Sequence, residues 1–120
     1  RRAALGSNTL SPMNTIIVLN HDQMGLGDSE LGRKILGTFL GKVPSIQEVT
    51  AICFYNSGVK LLAKGSPVLA ELTMLEENGV DLYPCGTCVN HYGIELGAGD
   101  ISSMDQIVQE LDKAEKVITL

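Results

Sequence analysis

The stretch TIIVL, residues 15–19, is a continuous run of β-branched and apolar side chains. Such a run is typical of a strand that is buried on both faces of a parallel sheet, because the alternation of a half-exposed strand is missing. A second run of the same kind, VTAICFY, occupies residues 49–55. Shorter apolar runs follow at residues 80–84 (VDLYP) and residues 116–120 (KVITL). These four stretches are the predicted strands.

Helical patterns separate the predicted strands. Apolar side chains recur at helical spacing over residues 31–40. Residues 66–79 begin with Ser-Pro and end with Asn-Gly, which are start and stop signals of a helix. Ser103 and Gln106 have the spacing of a capping box before a further apolar stripe. The alternation predicts an α/β fold with three layers, α/β/α, and a mostly parallel sheet of about five strands.

Length, charge and cysteine content narrow the class of protein. A chain of 120 residues is enough for one domain with its own core. The net charge of -5 argues against a nucleic-acid partner, which needs clustered Lys or Arg. No apolar run approaches the roughly 20 residues of a membrane span. Three cysteines are too few for a secreted disulfide framework, so we expect a cytoplasmic protein.

The first 13 residues, RRAALGSNTLSPM, differ from the rest of the chain. They show no clear period and are rich in small side chains. We interpret residues 1–13 as an interdomain linker or a tail left from cloning, and residues 14–120 as the folded domain.

The sequence Cys85-Gly86-Thr87-Cys88 follows directly after the third predicted strand. Open α/β sheets place their chemistry at the carboxyl ends of their strands. A helix that begins at Gly86 or Thr87 would direct N–H groups at Cys85 and lower the pKa of its thiol. We therefore expect Cys85 to be a reactive thiolate, exposed at the rim of the sheet. Cys88 lies one helical turn further on, as a resolving thiol would; the alternative is that both are buried apolar side chains.

Other residues come together at the same edge of a parallel sheet. Asn20 and Asn56 follow the first and second predicted strands, as Cys85 follows the third. Asn is also frequent in turns, so a purely local role stays open. His21 and Asp22 form a possible proton-donor pair in the first of these loops. The predicted binding residues are Asn20, Asn56, Gly58, Gly86 and Thr87.

A metal site is the competing use of the cysteines. Cys85, Cys88 and His91 have a C-x2-C-x2-H spacing. A structural zinc site needs four ligands, and only Cys53 and His21 remain. Cys53 lies in the middle of an apolar run, so we predict neither a metal nor another cofactor.

Several motifs occur in an order that identifies a family. They are Gly27-Asp28 with Glu30-Leu31-Gly32, Phe54-Tyr55-Asn56-Ser57-Gly58-Val59, Gly65-Ser66-Pro67-Val68-Leu69, and Cys85-Gly86-Thr87-Cys88 with Tyr92-Gly93. From residue 15 onward the chain resembles the DsrE-like domain of YedF, a sulfurtransferase-like protein of selenium metabolism in the DsrE/DsrF-like family.

The resemblance implies more than the residues show by themselves. DsrE-like proteins have a doubly wound α/β fold and commonly form homo- or hetero-oligomers. Their sulfur-relay members carry sulfur as a cysteine persulfide, eight residues before a glycine like Gly93, which is the position of Cys85. In YedF-type proteins a TusA-like domain precedes this one, and it or another sulfur carrier is the implied partner. Cys88 departs from the relay members, since a second thiol can attack a Cys85 persulfide and release sulfide.

The sequence thus leads to one main hypothesis and two alternatives. The main hypothesis is a cytoplasmic, homo-oligomeric domain that relays sulfur or selenium on Cys85, assisted by Cys88. The backbone N–H groups of residues 86–88 would stabilise the persulfide. The alternatives are a non-catalytic oligomeric binding module and a thiol-redox protein like a peroxidase.

Overall fold

The computed structural model describes residues 14–120, so the linker or tail predicted for residues 1–13 lies outside the described part. Strands and helices alternate along it, apart from two consecutive helices before the last strand. They are β1 Thr15–Leu19, α1 Ser29–Lys42, β2 Val49–Phe54, α2 Leu69–Glu77, β3 Asp81–Pro84, α3 Gly86–Tyr92, α4 Met104–Lys113 and β4 Lys116–Thr119. A 3₁₀ segment, Asn56–Leu62, follows β2. None of the helices in this part is long and apolar enough to span a membrane.

The strands form one parallel sheet in the order β3-β2-β1-β4. This confirms the predicted α/β class, although residues 14–120 hold four strands instead of about five. The outer edge of β3 is covered by an irregular segment. In it Ser102 donates its N–H to the Pro84 carbonyl at 2.9 Å and accepts from the Gly86 N–H at 2.7 Å. These two hydrogen bonds form an isolated β-bridge between Cys85 and Ser102, which covers the edge without adding a fifth strand.

One face of the sheet is covered by α1 and α2 and carries the larger core. Its side chains come from alternate positions of the central strands, which explains why those strands are apolar on both faces. The helical side chains of this core are Leu36 and Leu40 of α1, Leu72 and Leu75 of α2, and Val89 of α3. Leu31, in the stripe predicted for the first helix, is 55% exposed, because α1 covers the sheet with a narrower face than its apolar pattern indicates.

The other face is covered by α4 and carries a smaller core. Ile107 of α4 is fully buried there, against Ala51 and Cys53 of β2. The predicted N-cap is confirmed at the start of this helix, where the Ser103 hydroxyl accepts from the N–H of Gln106 at 3.1 Å. The Gln106 side chain does not complete the capping box, because it donates to Glu110 at 2.9 Å. Met104 and Val108, one turn apart, remain 48% and 54% exposed. The helix therefore presents an apolar side to solvent as well as to the sheet.

Candidate functional site

Cys85 lies at the junction of β3 and α3. Its N–H donates to the Phe54 carbonyl at 2.9 Å, as in a strand, and its backbone is extended, with φ -63° and ψ 123°. Its carbonyl already accepts the first helical hydrogen bond, from the Val89 N–H at 3.0 Å. Cys85 is thus the N-cap residue of α3, and both the sheet and the helix fix its position.

The Cys85 side chain is buried, with 3% of the residue exposed. It belongs to the smaller core, together with Cys53 and Ile107. The expectation that this thiol is open to solvent at the rim is therefore wrong for the single chain. The physical reason is that α4 and the segment around Ser102 cover the end of β3, and the local pattern around the cysteines carries no information about them.

The hydrogen bonds around Cys85 favour its ionised form. Burial by itself raises the pKa of this thiol, but the donors around it act in the opposite direction and outweigh burial. These donors are Cys88 and Thr87, each through its backbone N–H and its side chain. The pKa of Cys85 therefore lies below the ordinary value, as the start of a helix beside it predicts. Gly86 does not contribute, because its N–H donates to the Ser102 carbonyl at 2.7 Å.

The pKa of Cys88 is shifted in the opposite direction, above its ordinary value. Burial raises the pKa of its thiol, and so do the hydrogen bond to Cys85 and the charge of Cys85, whereas the N–H of Asn56 lowers it. That N–H lies 3.1 Å from the Cys88 Sγ. The hydrogen bond between the two side chains thus lowers the pKa of Cys85 and raises that of Cys88, so Cys85 is the thiol of the pair that ionises first.

An open cavity of about 380 Å³ lies beside the cysteine pair. Its lining residues are Tyr55, Asn56, Thr87, Cys88, His91, Tyr92 and Met104. Its volume is in the range of sites for small organic ligands. Cys88 is part of the lining, while Cys85 is not. Of the two thiols, the one that faces the cavity is therefore Cys88.

Asn56 supports this site through its backbone. Its φ of 51° lies in the left-handed region, which Asn tolerates better than most residues. In this conformation its N–H points at Cys88, while its Oδ1 accepts from the Tyr92 hydroxyl at 2.8 Å. Lys60 Nζ lies 4.6 Å from the centroid of the Tyr92 ring. The sequence predicted Asn56 but missed Tyr92 as its partner, because 36 residues separate them.

Gly58 allows the 3₁₀ segment to pack against the end of β1. A Cβ on this residue would lie 2.0 Å from the Leu19 carbonyl oxygen, which no side chain tolerates. This close approach holds the start of the segment, and with it Asn56, at the carboxyl edge of the sheet. Gly58 therefore acts on the site by position, and its predicted binding role stays a prediction.

The loop after β1 lies at the same edge. Within residues 14–120 no hydrogen bond joins the Asn20 side chain to either cysteine of the pair, so its role also stays a prediction. His21 Nδ1 lies 3.1 Å from the Ser57 Oγ and accepts from the N–H of Asp22 at 3.1 Å. The carboxylate Oδ1 of Asp22 also lies 3.3 Å from this Nδ1, so His21 and Asp22 are in contact with each other. No local pattern indicated Ser57 as the contact of this histidine, because the two residues are 36 positions apart.

Metal binding finds no support in the described part of the chain. No group of three or more His, Cys, Asp or Glu side chains within residues 14–120 is arranged to hold an ion. His91, the third residue of the zinc-like spacing, packs edge-on against Tyr92, with ring centroids 4.9 Å apart. Cys85 and Cys88 are free thiols.

Comparison with known structures shows the same fold in other proteins. A protein of unknown function, MTH1491 from Methanobacterium thermoautotrophicum, is 17% identical, with a TM-score of 0.67 over 90% of this chain and 99% of that one. The ychN protein from E. coli is 19% identical, with a TM-score of 0.65 over 90% and 100%. The conserved protein BT1422 from Bacteroides thetaiotaomicron is 18% identical, with a TM-score of 0.61 over 88% and 94%. No curated protein matches the sequence.

The family follows from the sequence profile. The profile of the DsrE/DsrF-like family matches residues 13–120, which is nearly the whole chain and includes every element described above. The chain belongs to the DsrE/DsrF-like family.

Proposed function

We propose that this domain relays sulfane sulfur, or selenium in its place, as a persulfide on Cys85 with assistance from Cys88. The observation that carries the proposal is the cysteine pair at the start of α3, where donors from Thr87 and Cys88 lower the pKa of a buried thiol. The DsrE/DsrF-like family is associated with sulfur relay in general, which supports the same chemistry here.

The chemistry is a thiol exchange in which no net oxidation occurs. A thiolate of the pair attacks the terminal sulfur of a donor persulfide. A new S–S bond forms, the S–S bond of the donor breaks, and the donor leaves as a thiolate. The persulfide anion on Cys85 then accepts hydrogen bonds from the N–H groups of Thr87 and Cys88, which already surround the sulfur.

The partners of the relay are part of the proposal. We propose a homo-oligomer that works in the reducing cytoplasm and exchanges sulfur with a TusA-like domain or another sulfur carrier. The support is an apolar surface close to the cavity, formed by Ile101, Met104 and Val108, which are 64%, 48% and 54% exposed. Apolar side chains that cluster beside a cavity are typical of a protein contact.

Two other functions remain in competition. The proximity of two thiols of opposite pKa shift also favours a redox protein that cycles through a Cys85–Cys88 disulfide. The cavity beside Cys88 also suits a binding module that performs no covalent chemistry.

The experiment is incubation with glutathione persulfide, removal of the excess, and intact mass with peptide mapping. We expect a gain of about 32 Da, one sulfur, which maps to Cys85. The matched control is Cys53→Ala, which removes a buried thiol outside the pair and should keep the gain. The double variant Cys85→Ala/Cys88→Ala should lose it. A loss of about 2 Da instead indicates a disulfide and the redox function. An unchanged mass indicates the binding module.

A further inference from the structure

The two thiols of the pair differ in accessibility in an unexpected direction. Cys85, the residue with the lowered pKa, is 3% exposed and does not line the cavity. Cys88 is half-buried and lines it. A donor persulfide that enters the cavity therefore meets Cys88 first. Direct attack by Cys85 would require the donor to pass Cys88 and reach a sulfur inside the smaller core.

We propose that Cys88 exchanges sulfur with the donor and the acceptor, and that Cys85 stores the sulfur behind it. This order rests on the relay function proposed above. It assigns to Cys88 the exchange step with bulky donors and acceptors, in place of the resolving role that the sequence indicated.

The proposed transfer of sulfur from the donor to Cys88 and then to Cys85 needs no oxidant or reductant. The Cys88 proton moves to Cys85 along the hydrogen bond that joins them, and the Cys88 thiolate attacks the terminal sulfur of the donor. The donor thiolate leaves, and Cys88 carries the persulfide. Cys85 then loses its proton to solvent and attacks the terminal sulfur, so that a Cys85–sulfur bond forms while the Cys88–sulfur bond breaks. Cys88 is regenerated as a thiolate, and nothing is oxidised.

The structure also gives a reason for the sulfur to remain on Cys85. A persulfide there keeps the donors of Thr87 and Cys88, while among the described residues the donor to a sulfur on Cys88 is the N–H of Asn56. Burial in addition keeps external thiols away from the stored sulfur. If Cys85 attacked the inner sulfur of the Cys88 persulfide, a disulfide and free sulfide would result, which is a measurable failure of storage.

Two donors of different size test the order. Glutathione persulfide needs the open cavity, whereas inorganic hydrogen disulfide is small enough to enter a narrow gap. In Cys88→Ser we expect uptake from glutathione persulfide to slow about tenfold or more, with a much smaller effect on hydrogen disulfide, because exchange rates depend on access. Serine keeps a donor toward Cys85 and an acceptor for Asn56. A purely structural role of Cys88 would slow both donors equally, and that result overturns the order.

The complementary variant is Cys85→Ser. Sulfur should then remain on Cys88, where mapping detects it, and be lost faster to added thiols than in the parent protein. Absence of uptake in Cys85→Ser, while the parent protein takes up sulfur, contradicts the order. Sulfide release with a Cys85–Cys88 disulfide in the parent protein contradicts storage. A parent protein that takes up no sulfur from either donor contradicts the relay function itself.

A third variant leaves both thiols intact. Met104→Trp places a larger side chain in the lining of the cavity, and we expect slower uptake from glutathione persulfide only. The matched control is Met74→Trp on α2, a residue that is 60% exposed and lines a different cavity. If the two tryptophan variants take up sulfur at the same rate, the cavity is not the route to Cys88 and the order is wrong.

Discussion

Cys53 in β2 and Cys85 just beyond β3 lie in the same small core, yet their thiols have opposite properties. They are 0% and 3% exposed, so both are withdrawn from water. Burial raises the pKa of Cys53 to about 12, and the charge of Glu110 adds to the effect. The pKa of Cys85 is lowered although burial acts on it in the same direction.

The difference arises from the backbone around each sulfur. Cys53 is paired with Tyr83 in the middle of the parallel ladder, where the N–H groups are used between strands. Cys85 stands one residue beyond β3, where the first turn of a helix has N–H groups without helical partners. Depth in the core therefore does not decide the chemistry of these thiols. The decisive factor is whether backbone and side-chain donors of a helix's first turn lie beside the sulfur.

The largest expected effect comes from breaking the backbone arrangement at the carboxyl edge. Gly58→Ala places a Cβ on the Leu19 carbonyl, and we expect the free energy of unfolding to fall by about 3 kcal/mol or more. Urea denaturation measures this. Gly41→Ala is the control, since its Cβ would meet nothing within 4 Å in α1, and a stability gain of about 0.5–1 kcal/mol is expected. Equal stabilities of the two variants would contradict the close approach.

An effect of intermediate size is expected from Cys53, the thiol in β2, on the pH dependence of stability. The pKa of Cys53 is about 12 in the folded chain and ordinary, near 9.0, in the unfolded chain. The unfolded chain therefore loses this proton first, so stability is complete below pH 9 and falls as the pH rises toward 12. From pH 8.5 to 10.5 the fall from this thiol is roughly 2 kcal/mol.

The Cys53→Ala variant measures that contribution. Its urea-unfolding free energy should depend less steeply on pH over this window, although its stability at pH 7 is lower because a buried side chain is truncated. Part of the slope should persist, since burial and the charge of Asp81 raise the pKa of Tyr83 to about 12 as well. An unchanged slope in Cys53→Ala would refute the contrast between the two cysteines.

The smallest expected effect concerns the support of Cys88. Tyr92→Phe removes the hydroxyl that donates to the Asn56 Oδ1 at 2.8 Å, and a loss of about 1 kcal/mol is expected. Tyr83→Phe is the control, because its hydroxyl makes a longer contact of 3.3 Å to Asp81. Thermal unfolding compares the two. A larger loss in Tyr83→Phe would show that the contact between Tyr92 and Asn56 contributes little.

Features that depend on neighbouring residues could be predicted from the sequence, whereas features that depend on distant segments could not. The buried strands, the N-cap at Ser103 and the position of Cys85 at a strand end all depend on neighbours within a few residues, and the structure agrees with them. The burial of Cys85 depends on Ile107 and on the segment around Ser102, which come from later in the chain. The contact of Asn56 with Tyr92 likewise spans 36 residues. Local patterns carry no information on which distant segment covers a site, so these features required the structure.

The closed edge of β3 limits how two copies can associate. The segment around Ser102 occupies that edge. Among the strands of residues 14–120, the outer edge of β4 is therefore where the sheets of two copies would have to join into one continuous sheet. That edge is on the opposite end of the sheet from the thiols, so such a dimer would leave their cavity open. Association through the apolar side of α4 would instead cover Met104, which lines the cavity, and narrow the access to it. The mode of assembly thereby determines whether a bulky sulfur donor can enter.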